Sequence, residues 1–198
     1  VFNIDKTFEF CYGHRVWSQE LDGRYSEDLK CACRHLHGHE AKVQVYLSGD
    51  KLERGMLTDF RHLEWLKKFF NTYVDHKFIL DKSDPLFSFL VNENIEHIPL
   101  YQENSIVGWT LSEEDLNPEF AELYGGMLIV DFVPTSENLA RWVHKIVSDK
   151  MRHINVMCSR VDWWETPKSR SSYVETVYEK HDGVSTKCCH HSQNSHHC

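Results

Sequence analysis

The 198-residue chain lacks an apolar run of about 18 residues, so no membrane-spanning helix is expected. Its opening residues, VFNIDKTFEF, lack the basic flank and apolar centre of an export signal. An excess of positive charge is also missing. The 22 Lys and Arg against 30 Asp and Glu give a formal net charge of −8, which disfavours nonspecific nucleic-acid binding. The cysteines number seven and lack the spacing of a secreted disulfide framework. These absences predict a cytoplasmic protein with free thiols, no nucleic-acid partner and no membrane association. No internal repeat stands out. What is present, 41% hydrophobic and 13% aromatic residues, suffices for one packed core.

Periodicity predicts the elements. In residues 1–13, Phe2, Ile4, Phe8, Phe10 and Tyr12 share even positions, the period of a strand face, and His14 continues that parity. Residues 15–36 are polar and read as a long loop. Alternation resumes at His37 with Ala41, Val43, Val45 and Leu47. Residues 61–74 form an amphipathic helix through Leu63, Leu66, Phe70 and Tyr73. Residues 81–126 mix prolines, acidic clusters and short apolar runs, and read as an insertion. The run at 126–132 is a strand or core segment. Pro134 and Thr135 start a helix that buries Leu139, Val143, Ile146 and Val147. Residues 154–165 and 172–180 read as two further strands. The order is two strands, helix, insertion, helix, two strands.

Chemistry concentrates in CACRHLHGH, residues 31–39. On a strand, His37 and His39 project from one face with Cβ atoms about 6–7 Å apart, close enough for two imidazoles to share an ion. Gly38 clears the opposite face. If the first two strands pair antiparallel, His14 is the third ligand, and three neutral His with one open position is a catalytic zinc pattern. Surface histidines would give the same spacing. Cys33 near such an ion would carry a lowered pKa and act as base or nucleophile, or it is an idle thiol. Asp75 and His76 form an orienting pair if a turn brings them together, or else cap a helix dipole. Glu165 continues the apolar parity of Val161 and Trp163. It is either a buried carboxylate suited to an N–H/NH₂ edge, or a solvated strand end.

Taken in order, FEFCYGH, CRHLHGHEAKVQV, GMLTDF, VDHKFIL, PTSENLARWV and WETPKSRSSY resemble the motifs of the 6-pyruvoyl-tetrahydropterin synthase superfamily. Its members include the 6-carboxytetrahydropterin synthases of queuosine biosynthesis. The resemblance covers residues 8–80 and 127–175. It implies an α+β tunnelling fold in one domain, residues 1–180: a four-stranded antiparallel sheet with two helices on one face, order ββααββ. Here an insertion at about 81–126 separates the helices, and a Cys/His-rich tail follows at 181–198. The resemblance also implies a homohexamer built as a dimer of trimers, with active sites between subunits. It assigns zinc to His14, His37 and His39, catalytic roles to Cys33, Asp75 and His76, and pterin binding to Glu165.

The reaction so implied is zinc-dependent conversion of 7,8-dihydroneopterin triphosphate to 6-carboxy-5,6,7,8-tetrahydropterin, acetaldehyde and triphosphate, a lyase activity. The alternatives are a 6-pyruvoyl-tetrahydropterin synthase, which eliminates triphosphate without cleaving the side chain, and a non-catalytic pterin or purine binder. The carboxy type resembles C-x3-HGH, which Cys33 fits; the pyruvoyl type resembles C-x5-HGH, which Cys31 fits. Arg15, Arg34, Lys168 and Arg170 are candidate partners for the triphosphate, or parts of solvated basic loops. The tail, with Cys188, Cys189, His190, His191, His196, His197 and Cys198, is a polar extension or a second metal-binding element.

Overall fold

Two long strands frame the molecule. β1 (Phe2–His14) and β2 (His37–Gly49) run antiparallel, with Phe10 opposite Ala41, Tyr12 opposite His39 and His14 opposite His37. The computed structural model describes residues 1–92, 94–114 and 116–175, so the Cys/His-rich tail lies outside the described residues. In register, the even positions of β1 and the odd positions of β2 share one face. There Phe8, Phe10, Tyr12, Ala41, Val43, Val45 and Leu47 are buried.

Two helices cover that face. α1 (Glu64–Tyr73) follows a 3₁₀ turn over Phe60–Leu63, which Asp59 caps by accepting the Arg61 N–H at 2.8 Å. Its Phe70 packs on Phe8 and Phe10, with ring centroids 5.4 and 4.8 Å away. α4 (Ser136–Met151) is capped by Thr135, whose hydroxyl accepts the Asn138 N–H, and Glu137 sits in its positive first turn. Its expected stripe, Leu139, Val143, Ile146 and Val147, is buried, and so are Ala140, Trp142 and His144. The wider burial has a cause: Trp142 reaches across to donate its indole N–H to the Val107 carbonyl at 2.7 Å, inside the predicted insertion.

The sheet has eight strands where four were expected. β3 (Lys77–Asp81), β4 (His97–Gln102), β5 (Ser105–Leu111) and β6 (Met127–Val130) join β1, β2, β7 (Met157–Thr166) and β8 (Ser169–Val174). The order is β4-β5-β6-β3-β1-β2-β7-β8. The half from β1 to β8 is antiparallel throughout, whereas β3 runs parallel to both β1 and β6. Two short helices, α2 (Phe87–Leu90) and α3 (Pro118–Gly125), lie between these added strands in the chain. Ile79, Leu128 and Val130 join the main core, while Leu80, Met127 and Ile129 join a second cluster with Val91, Leu111 and Tyr124. Both faces of β3 and β6 are therefore buried, as parallel strands require. β8 begins at Ser169, earlier than the predicted 172, because the chain reverses immediately after β7 at Pro167 and Lys168.

Candidate metal centre and active site

His14, His37 and His39 meet at the ends of β1 and β2, because the register that buries the core also brings these rings together. Their centroids lie 4.5, 5.1 and 4.9 Å apart, and one ligand atom from each falls within 4.8 Å of the others. The Nε2 atoms of all three are buried and lack a hydrogen-bond partner, which is costly for a polar atom unless something else binds it. His14 Nδ1 lies 2.6 Å from the Pro134 carbonyl, and His37 Nδ1 lies 2.8 Å from the His35 carbonyl. A carbonyl only accepts, so each Nδ1 carries the proton and each Nε2 presents a lone pair. Burial first, then the charges of His37 and His39, push the His14 pKa down to about 4 against the pull of the Pro134 carbonyl. His39 is lowered by the same burial and by His37. Neutral imidazoles with free, convergent Nε2 atoms fit a divalent zinc.

Gly13 and Gly38 face each other behind this cluster. A Cβ on Gly38 would sit 3.0 Å from the Tyr12 carbonyl oxygen, and one on Gly13 would strike the Phe78 ring at 2.6 Å. Gly38 thus lets β2 lie against β1, and Gly13 leaves room for the Phe78 ring of β3.

Cys33 sits in a 3₁₀ turn, Ala32–Arg34, whose N-cap is Cys31; the Cys31 sulfur accepts the Cys33 N–H at 3.4 Å. The Val16 N–H donates to the Cys33 carbonyl at 2.8 Å, fastening the turn beside the end of β1. The expected lowering of its pKa is not a property of the protein groups alone. Burial, the Cys31 thiol and the charge of Glu165 push Cys33 up to about 11. A nearby dication is the influence that acts in the opposite direction.

Glu165, near the end of β7, reaches the same place. Its Oε1 lies 3.9 Å from His14 Nε2 and accepts the Tyr12 hydroxyl at 3.4 Å, while Tyr12 in turn accepts the Trp163 indole N–H at 3.3 Å. Burial and then the charge of Glu137 raise the Glu165 pKa, opposed by His37 and the Tyr12 hydrogen bond. The sequence pattern presented Tyr12 as one more apolar-face residue; nothing in the spacing marked its hydroxyl as a partner of Glu165.

Asp75 and His76 do form a pair, because His76 takes a left-handed backbone (φ 58°) that turns its ring back. His76 Nδ1 lies 2.8 Å from Asp75 Oδ1, which also accepts the Cys11 N–H at 3.0 Å. This pair is not among the groups gathered at the histidines. The His76 side chain is 81% exposed, beside a cavity of about 880 Å³ lined also by Cys11, Gly13, Phe78 and Leu123. Tyr12, His37 and His39 line the same cavity, so it extends to the strand ends that carry the histidines.

Two of the arginines proposed for the triphosphate are engaged elsewhere. Arg15 Nε lies 2.8 Å from the fully buried Asp84 side chain, and an Arg34 guanidinium N–H donates to the Gln19 carbonyl at 3.0 Å. Arg170 stacks over Trp164 and lies 3.6 Å from Asp162. Lys168 is exposed in the β7–β8 turn.

Among proteins similar to this one, a 6-carboxy-5,6,7,8-tetrahydropterin synthase from Aquifex aeolicus is 31% identical over 186 residues, covering 88% of this chain and 98% of the relative. A second so named, from Haemophilus influenzae, is 32% identical and covers 88% of this chain and 100% of its own. The crystal structure of an uncharacterized protein from Wolinella succinogenes superposes with a TM-score of 0.82 at 39% identity, covering 88% of this chain and 98% of that one. A 6-pyruvoyl tetrahydropterin synthase from Caenorhabditis elegans, 20% identical over 88% of this chain and 96% of its own with a TM-score of 0.52, shares the fold. The histidine cluster, Cys33, the Asp75–His76 pair and Glu165 all fall within residues 3–176, the span that matches the 6-pyruvoyl tetrahydropterin synthase family, and the chain belongs to that family.

Proposed function

We propose that the protein is a zinc-dependent 6-carboxy-5,6,7,8-tetrahydropterin synthase. It would act in queuosine biosynthesis, converting 7,8-dihydroneopterin triphosphate to 6-carboxytetrahydropterin, acetaldehyde and triphosphate. The observation that carries this reading is the convergence of three buried, unpartnered Nε2 atoms beside Glu165 and the Cys33 turn. Two relatives bearing that enzyme's name, each matched nearly end to end, support the choice of reaction.

His14, His37 and His39 hold the metal through Nε2, with Pro134 and His35 fixing two of the rings. Zinc bound there supplies a Lewis acid that stabilises negative charge on substrate oxygens. Glu165, steadied by Tyr12, accepts the paired N–H donors of the pterin edge and so orients the ring. Cys33 removes or returns a proton at the side chain. His76, held by Asp75, serves as the complementary acid or base from a neighbouring subunit, which fits its exposure.

Assembly into a homohexamer accords with the strand edges. Among the described residues β3 pairs with β1 only at Tyr12–His14, so the edge of β1 from Phe2 to Phe10 has no strand partner, and β8 ends the sheet on the other side. Such edges invite pairing between copies. No helix among the described residues is long and apolar enough to cross a membrane, in keeping with a cytoplasmic site of action.

A second reading, the pyruvoyl reaction, draws on Cys31, whose sulfur touches the Cys33 amide. Product analysis separates the two. With 7,8-dihydroneopterin triphosphate, acetaldehyde in step with triphosphate is expected; triphosphate without acetaldehyde assigns the pyruvoyl reaction, and no turnover leaves a pterin binder.

A further inference from the structure

The segment at 81–126 begins with two buried aspartates that no motif assigns. Asp81 is 3% exposed and Asp84 is 4% exposed. Each uses one carboxylate oxygen locally: Asp81 Oδ1 accepts the Ser83 N–H at 2.9 Å, and Asp84 Oδ1 accepts the Leu86 N–H at 2.8 Å. The other oxygen of each reaches out of the segment. Asp81 Oδ2 accepts the Trp17 indole N–H at 2.9 Å, and Asp84 Oδ2 lies 2.8 Å from Arg15 Nε. The Arg15 N–H does not point along that line, so the contact is a charge pairing more than an aligned hydrogen bond.

Both contacts land on one short stretch. Arg15 follows His14, a proposed metal ligand, and Trp17 follows Val16, whose N–H holds the Cys33 carbonyl. Residues 15–17 are thus the link between the histidine cluster and the thiol turn, and they carry no regular secondary structure of their own. A guanidinium this far buried (11% of its side chain exposed) needs a fixed counter-charge, and Asp84 supplies it. We propose that Asp84 and Asp81 are positioning residues, which fix the 15–17 link and through Val16 set where the Cys33 sulfur stands relative to the histidines. The role belongs to the added half of the sheet, and it rests on Cys33 being the reacting thiol.

The test uses the zinc-loaded full chain with Asp84→Asn and, separately, Trp17→Phe, which removes the indole donor together with part of the ring and leaves the buried ion pair in place. Three quantities are read: zinc per chain, kcat and KM separately, and the rate of Cys33 alkylation by iodoacetamide, followed on the Cys33 peptide. Both variants are expected to keep full zinc and a KM within about twofold of wild type. For Asp84→Asn, kcat should fall about tenfold to a hundredfold, the scale of an ångström-level misplacement, and the alkylation rate should change by several-fold. Trp17→Phe should show the same pattern at smaller size, and it carries the test alone if Asp84→Asn does not fold. Folded variants with wild-type kcat and wild-type alkylation overturn the proposal, even if their melting temperature drops. If Cys33→Ala instead proves fully active, the catalytic reading of the thiol fails, and the alkylation comparison still decides whether these aspartates place the sulfur.

Discussion

An imidazole binds a metal only through a nitrogen that is both deprotonated and free, and two carbonyls here meet that condition for His14 and His37. Substituting His37→Ala should therefore remove zinc and activity together; elemental analysis returning one zinc per chain would strike His37 from the ligand set. Cys33→Ala should retain zinc while turnover falls by about a hundredfold to ten-thousandfold, the usual contribution of a general acid–base group. Steady-state assays of Cys33→Ala and Cys31→Ala side by side assign the role: loss only in Cys31→Ala would move it two residues earlier, to the N-cap of the same turn. The three histidines were legible from strand parity, because a side chain two positions from a ligand on a pleated strand shares its face. Tyr12 and the Arg15–Asp84 pair were not legible. Their roles come from partners more than 65 residues away, and no local period encodes such contacts.

At the level of elements, alternation identified β1, β2 and β7 because one face of each meets the core and the other does not. It was silent on β3 and β6, whose runs FIL and MLIV are buried on both faces and so show no period of two. That silence left β3 unread and β6 only as a strand or core segment, while β4 and β5 fell within the stretch read as an insertion. Helices α1 and α4 were found from their stripes, and Leu66 in α1 is fully buried within the core they form. Leu66→Ala should cost about 2–5 kcal/mol in urea unfolding.

Strand β7 also carries a buried carboxylate. Asp162 is 0% exposed and takes two guanidinium N–H bonds from Arg160, at 2.6 and 2.7 Å, plus the Tyr46 hydroxyl at 3.1 Å. Burial alone would raise its pKa, but hydrogen bonds from Arg160, Ser172 and Tyr46 outweigh burial and hold it below the usual range. Since the folded value is the lower one, the stabilisation is fully present above the unfolded value of about 3.9. It is lost as pH falls through the folded value. Asp162→Asn should accordingly be less stable than wild type by about 1–3 kcal/mol near pH 7, with the gap closing below about pH 4. Urea titrations at the two pH values check this, and a gap that widens in acid would contradict it.

For the whole molecule, the exposure of the His76 side chain bears on how copies assemble. If each site draws its thiol from one copy and its dyad from another, Cys33→Ala and His76→Ala chains are each inactive but complement when mixed during assembly. A fraction of the sites then receives both intact halves, and activity should return to a sizeable fraction of wild type. Mixed assemblies as inactive as either parent would place the whole site in one chain. Beneath all these expectations lies the coordination of the ion itself, which X-ray absorption at the zinc edge reads most directly. The expected result is three nitrogen ligands at about 2.0–2.1 Å with no sulfur neighbour, leaving Cys33 free to move protons. A sulfur shell near about 2.3 Å, or fewer than three imidazoles, would contradict it.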